Sequence, residues 1–190
     1  MSNSKFRQIT EDDLPIIMKW RMAPEITKFM CTDPQLTLDD QKRWFERIKK
    51  DEDSFYWVYE VDGKPAGLVS LVDWDRKNSV IHSGAYIAEA EARTLQNIVD
   101  ENMNLFAIPF ERLGINRLAI EIMSNNTGMM KWAMRFGATK EGVLREAIHK
   151  NGEIYDLHLF SILAKDWPEI KKKVHYNPLE IEEKQKNDTV

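Results

Sequence analysis

Gly114-Ile-Asn-Arg-Leu-Ala-Ile-Glu-Ile-Met-Ser-Asn-Asn126, followed after a short amphipathic run by Arg135-Phe-Gly-Ala-Thr-Lys-Glu-Gly-Val-Leu-Arg145, is the stretch whose reading decides the fold. Apolar residues dominate positions 115, 118, 120 and 122 with no helix cap between them, which predicts a strand over Ile115–Met123. Ser124–Thr127 can cap a helix whose apolar face is Met129, Met130, Ala133 and Phe136. Gly137 stands where that helix needs a left-handed stop residue. Strand, capped helix, glycine stop and returning strand make one compact unit.

Upstream, Thr10-Glu-Asp-Asp13 reads as a capping box opening a helix to about Met22, and Ala23-Pro24 breaks it before a short helix near Glu25–Met30. Thr37-Leu-Asp-Asp40 opens another helix, with Trp44, Phe45 and Ile48 on one face. Strands are expected at Phe55–Val61 and Ala66–Trp74, joined by Asp62-Gly63, and at Ser79–Ala88. Leu95–Leu113 reads as a central helix that Pro109 should kink or end early. Strands over Val143–Ile148 and Tyr155–Leu163 meet at Asn151-Gly152, and 164–176 reads as helical around Trp167-Pro168. From Asn177 the chain is charged and poor in aromatics, so fraying is expected. The order predicts an α/β (α+β) chain with a mixed, mostly antiparallel sheet. It forms one domain over residues 1–176 with a tail at 177–190.

At 190 residues and 43% hydrophobic, the chain suits one well-packed domain and is too short for two ordinary ones. A net charge of −4 argues against a nucleic-acid partner, because no net basic field is present to neutralise phosphates. Cys31 is the only cysteine, so neither a disulfide framework nor a thiolate metal site is expected. His82, His149, His158 and His175 lack metal-ligand spacing, so no metal is expected. Without a membrane-length apolar run or a signal-peptide core, a soluble cytoplasmic protein is the default expectation. A homodimer is compatible with the sequence but not legible in it.

The order of elements, with Asn126 eleven positions before Gly137 and Glu141-Gly142 beyond, resembles the GCN5-related N-acetyltransferases, the GNAT superfamily. Trp20-Arg21, Thr37 with Trp44-Phe45, Phe136-Gly137, Leu144-Arg145, Gly152, Asp156 and Trp167 are similar to the branch of ribosomal-protein N-terminal acetyltransferases and pseudaminic-acid-pathway aminosugar N-acetyltransferases. The resemblance covers roughly residues 5–167. It implies a splay between two parallel strands and acetyl transfer from acetyl-CoA to an amine. Cofactor contacts are then implied for Tyr86, Ile87, Arg93, Gln96, Asn97, Ile98, Val99, Asn126 and Met129. The pyrophosphate would lie on a loop-to-helix amide cradle.

Three positions depart from the family pattern. The cradle normally carries two glycines, where this chain has Gln96 and Ile98. A tyrosine that often protonates the departing thiolate, seven positions after the asparagine, is Ala133 here. One reading is a loop that presents its amides with ordinary φ; the other is a damaged cofactor site. Glu121 is either a surface ion-pair carboxylate or the group that takes the ammonium proton, and backbone amides near Tyr86 and Ile87 would polarise the thioester. Asn126 is a helix cap, a pantetheine contact, or both. Trp20, Arg21, Met30, Trp44 and Tyr56 are the candidate acceptor contacts, with Arg21 asking for an anionic partner. The expected acceptor is a small-molecule primary amine, a nucleotide-linked amino sugar ahead of the rest. A protein N-terminus and a non-catalytic GNAT-fold binding module are the alternatives.

Overall fold

The computed structural model describes residues 3–183. Eight strands form one sheet in the order β6-β7-β5-β4-β3-β2-β1-β8. In chain order these are β1 (Ser4–Gln8), β2 (Phe55–Val61), β3 (Lys64–Asp75), β4 (Val80–Ile87), β5 (Arg117–Met123), β6 (Thr139–Lys150), β7 (Glu153–Leu163) and β8 (Glu180–Ile181). The helices are α1 (Leu14–Met22), α2 (Pro24–Thr27), α3 (Leu38–Lys50), α4 (Leu95–Glu111), α5 (Thr127–Arg135) and α6 (Trp167–Lys173). Neighbouring strands run antiparallel except for the pairs β4–β5 and β1–β8. The mixed, mostly antiparallel sheet expected from the sequence is what forms.

The turns follow local chemistry. Asp62 and Gly63 have φ of 50° and 75°, and Asn151 and Gly152 have 51° and 78°, which matches the twist of the hairpins they close. Gly137 has φ +90°, and a Cβ there would lie 2.5 Å from Ile170 of α6, so the stop also lets α6 pack closely. Thr37 and Asn126 cap α3 and α5, each accepting from the backbone N–H three residues on. Asp13 takes both the N–H and the hydroxyl of Thr10, which head a 3-10 turn running into α1.

Two cores sit on opposite faces of the sheet. Met103, Leu105 and Phe106 of α4, Phe136 after α5 and Trp167 of α6 pack against Val69, Ile81, Ile120 and Phe160. Leu14, Ile17 and Trp20 of α1, with Phe45 and Ile48 of α3, cover Val58 and Leu68 on the other face. The family signature residue Glu141 is a tie within the sheet. Arg117 grips it bidentately, the Ser161 hydroxyl donates to it at 2.7 Å, and together they hold its carboxyl down at about 2.

Several expectations need correcting. Strand β1 was not anticipated, because Phe6 is its one large buried apolar side chain and a single residue gives no period. Pro109 lies inside α4, which continues to Glu111 rather than ending at the proline. The proline falls in the last turn, where only one intrahelical bond is forfeited. Residues 177–183 of the expected frayed tail are docked, with β8 paired to β1 and the Glu182 N–H bonded to the Phe6 carbonyl at 2.9 Å. The remainder of that tail, 184–190, lies outside the described residues.

Candidate active site

The parallel pair β4–β5 is joined only from Val80–Arg117 to His82–Ala119. Beyond it the strands diverge, and among the described residues β4 from Ser83 to Ile87 keeps β3 as its only strand neighbour. The Ala88 N–H bonds to the Ala66 carbonyl of β3, so by alternation the Tyr86 main chain faces β3 and that of Ile87 faces the gap. The tight approach of the Tyr86 carbonyl to Gly67, 2.1 Å from where a Cβ would stand, fits this orientation. Of the two amides expected to polarise a thioester, only that of Ile87 is aimed at the gap.

A cleft of about 870 Å³ runs through this gap. On one side it is walled by Leu105 and Phe106 of α4, Ile120 and Ile122 of β5, Asn126 and Met129. On the other it reaches Arg21, Met30, Gln41, Trp44, Tyr56 and Tyr86. Trp44 and Tyr56 meet edge to face at 5.4 Å. Segment 28–36 closes over the acceptor side and is pinned from the far half of the sheet. The Lys150 ammonium donates to the Thr27 and Met30 carbonyls, Asn125 to the Lys28 carbonyl at 2.7 Å, and Asn151 to Asp33 at 2.8 Å. Nothing in the sequence signals Lys150, since its partners lie about 120 positions away.

Three buried polar atoms on the acceptor side have no partner among the described residues: Arg21 Nη1, Gln41 Oε1 and the Tyr86 hydroxyl. The second terminal nitrogen of Arg21 donates to the Thr32 hydroxyl at 2.6 Å, and burial lowers the affinity of its guanidinium for a proton. Burial pushes the Tyr86 hydroxyl well above the usual tyrosine range despite Arg21 nearby, so it stays protonated. Glu121 is exposed on β5 and lines the cleft, 3.9 Å from His82 Nδ1. Charged side chains lining the cleft are Arg21, Arg43 and Arg47 against Asp40 and Glu121, and Asp40 is already paired with Arg43 at 2.5 Å.

Trp20 is not a cleft residue. It is 3% exposed, stands edge-on behind Tyr86 at 6.5 Å, and donates its indole N–H to Glu89 at 2.7 Å. Helical spacing cannot separate a core tryptophan from a pocket tryptophan one position away from Arg21.

The start of α4 stands apart from the lined cleft. Thr94 caps it, accepting from the Asn97 N–H at 3.2 Å, and Asn97 donates its side-chain amide to the Ala92 carbonyl. Arg93 spends its guanidinium on the carbonyls of Ile87 and Ala88, at 2.9 and 2.5 Å, tying the helix start to the diverging end of β4. Ile98 and Val99 are half-buried and pack on the core. Gln96 and Ile98 are already inside α4, and no residue between 80 and 113 has a left-handed backbone. No left-handed backbone therefore calls for glycine at either position, and with the Asn97 N–H taken by Thr94 the helix still presents the amides of Leu95 and Gln96. The residues fit a coenzyme whose pyrophosphate meets α4 and whose arm threads the gap.

A family model described as an acetyltransferase (GNAT) domain matches residues 5–139. The chain belongs to the GNAT acetyltransferases. It is 27% identical over 150 residues to a putative ribosomal N-acetyltransferase, YdaF, of Bacillus subtilis (strain 168), covering 78% of this chain and 79% of that one. It is 23% identical over 126 residues to the acetyltransferase PseH of Campylobacter jejuni, covering 66% and 76%. The spermidine N-acetyltransferase of Vibrio cholerae, solved with CoA and spermine, superposes with a TM-score of 0.82 at 18% identity over 87% of this chain and 98% of that one. The family, the fold and N-acetyltransferase activity on an amine are thereby placed.

Proposed function

We propose that this GNAT enzyme acetylates the primary amine of a small molecule carrying an anionic group, a nucleotide-linked amino sugar being the favoured class. The observation that carries this reading is Arg21, a half-buried guanidinium lining the cleft with one nitrogen buried and unpartnered. Asp33 acts on this guanidinium only from beyond ion-pair distance, and a partly desolvated arginine without a carboxylate in direct contact is costly unless a ligand anion completes it. Trp44 and Tyr56, set edge to face, add aromatic surface on the cleft wall for a base or sugar ring to pack on. With three arginines and two carboxylates, the lining does not suit a polycation or a basic protein tail.

In this reading Glu121 takes the proton of the entering ammonium, directly or through water, and His82 stands beside it. The Ile87 N–H, aimed into the gap, donates to the carbonyl oxygen as charge develops there. The Tyr86 hydroxyl, held protonated by burial, supplies a neutral donor on the same wall, in place of the tyrosine absent at Ala133. When bound, acetyl-CoA supplies the activated acyl group; the protein contributes placement and proton transfer. A non-catalytic role loses its main motive once Gln96 and Ile98 are seen to need no glycine backbone.

The test is an acceptor panel of nucleotide-linked amino sugars, spermidine and N-terminal peptides with acetyl-CoA. Turnover confined to the anionic amines supports the proposal, and a preference for spermidine or basic peptides overturns it. Absence of a thermal shift with millimolar acetyl-CoA would refute the coenzyme half.

A further inference from the structure

One carboxylate joins the docked C-terminal segment to the coenzyme end of α4. Asp100, 3% exposed, accepts the Asn177 N–H at 2.7 Å and the Gln96 side-chain amide at 2.8 Å on Oδ1. Its Oδ2 accepts the Asn177 side-chain amide at 2.9 Å. One turn on, Asn104 donates to the Asn177 carbonyl at 2.8 Å and accepts the Leu179 N–H at 2.9 Å. The strap then joins β1 through β8, and the Glu182 carbonyl receives the Trp57 indole N–H at 2.8 Å. Buried side chains of α4 therefore fix the segment, and Asp100 is where its hold reaches the first turns of the helix.

Gln96 is the second residue of α4 and is exposed at the helix start. An amide side chain there has two places to go. Forward, its oxygen can accept from the unbonded first-turn N–H groups, the donors a phosphate would use. Backward, it can bond a side chain four residues on. Here it lies backward on Asp100.

We propose that Asp100, fixed by Asn177, is a positioning residue for the coenzyme: it draws Gln96 back along α4 and keeps the N-terminal amides of the helix open to the pyrophosphate. The proposal rests on the acetyl-CoA reading above. It explains how a side chain can replace a glycine at this site without blocking it. Charge alone predicts the reverse of what positioning predicts, since removing a carboxylate near the helix start would favour an anion.

The test measures CoA affinity by calorimetry, and turnover with acetyl-CoA and with S-acetylpantetheine, which lacks the pyrophosphate. Asp100→Ala is expected to weaken CoA by about 5- to 10-fold and leave kcat/KM with S-acetylpantetheine within about twofold. Adding Gln96→Ala to it should restore CoA affinity, while Gln96→Ala alone should change it less than about twofold. An unchanged or tighter Asp100→Ala, an equal loss with both acyl donors, or failure of Gln96→Ala to restore binding overturns the proposal. If Asp100→Ala does not fold, Asn177→Ala takes its place, with a smaller loss and the same restoration expected. A gain of more than about tenfold from Gln96→Ala alone would also overturn it, by showing that Gln96 already obstructs the site. Wild-type protein that binds no CoA would instead refute the coenzyme reading itself.

Discussion

On the α1–α3 side of the cleft, Arg21 Nη1, Gln41 Oε1 and the Tyr86 hydroxyl are buried without a partner among the described residues. On the α4–α5 side, Thr94 and Asn126 cap the helices, and Arg93 and Asn97 are occupied by main-chain carbonyls. In the proposed reading the coenzyme half is thus set by backbone geometry, closed by side chains that look inward. The acceptor half leaves side-chain polarity unspent, and unspent buried polarity is where a ligand is read. Backbone recognition tolerates sequence change, and the frame itself is shared with the spermidine enzyme at 18% identity. Side-chain recognition does not, so the choice of amine rests on the acceptor half.

The largest effect on turnover should come from Glu121→Gln. Losing the proton acceptor is expected to lower turnover about 100-fold near neutral pH. The deficit should shrink as pH rises, because the amine then arrives already neutral. A deficit constant with pH would mean that Glu121 does not take the ammonium proton, and turnover within about twofold of wild type would return it to the role of a surface partner for His82.

Arg21→Met should come next. The kcat/KM for the anionic amine is expected to fall about 30-fold, the worth of one charge-assisted hydrogen bond, with KM for acetyl-CoA unchanged. The free protein should melt at a higher temperature, because an incompletely paired buried cation is gone. Loss of acceptor activity together with gain of stability would mark the acceptor half as strained for function. A variant that loses stability would mean that Arg21 is satisfied within the fold.

Much of this contrast follows the distance over which each residue acts. Thr37, Asn126, Gly137 and the two hairpin turns act on neighbours within a few positions, so their roles can be read from spacing. Asp100, Asn104 and Lys150 act on partners more than 70 positions away, and their side chains reveal nothing until the chain is folded. Segment 177–183 looked frayed because Leu179 and Ile181 stand among charges, while its ties are polar and nonlocal. A damaged cradle was one of two readings because glycine was expected in a loop, whereas α4 begins at Leu95 and gives Gln96 and Ile98 helical backbone. Tyr86 and Trp20 were placed near the site by resemblance, and only the strand alternation and the Glu89 hydrogen bond separate cleft from core.

Glu101 is the place where the comparison is weakest, and its variant should change turnover least. It lies on α4, 3% exposed, with Oε1 unpartnered and only a long 3.4 Å contact from the Asn102 amide at Oε2. Burial pushes its carboxyl up to about 8, against an ordinary 4.5, with Tyr59 and Asp100 the titratable neighbours on that side. Between those two values the folded chain holds a proton that the unfolded chain has released. Stability from this group is therefore complete below 4.5 and declines as pH rises to about 8, by up to about 1.4 kcal/mol per unit. Glu101→Gln keeps the shape and removes the titration. Its melting temperature should hold steady across that window while the wild type falls, with kcat and both KM values unchanged. Parallel melting curves would mean that Glu101 is ionised and matched in the fold, and the coenzyme half would then be the fully paired one. A change in KM for acetyl-CoA alone would move Glu101 into the coenzyme site, leaving unpaired polarity on both sides of the cleft.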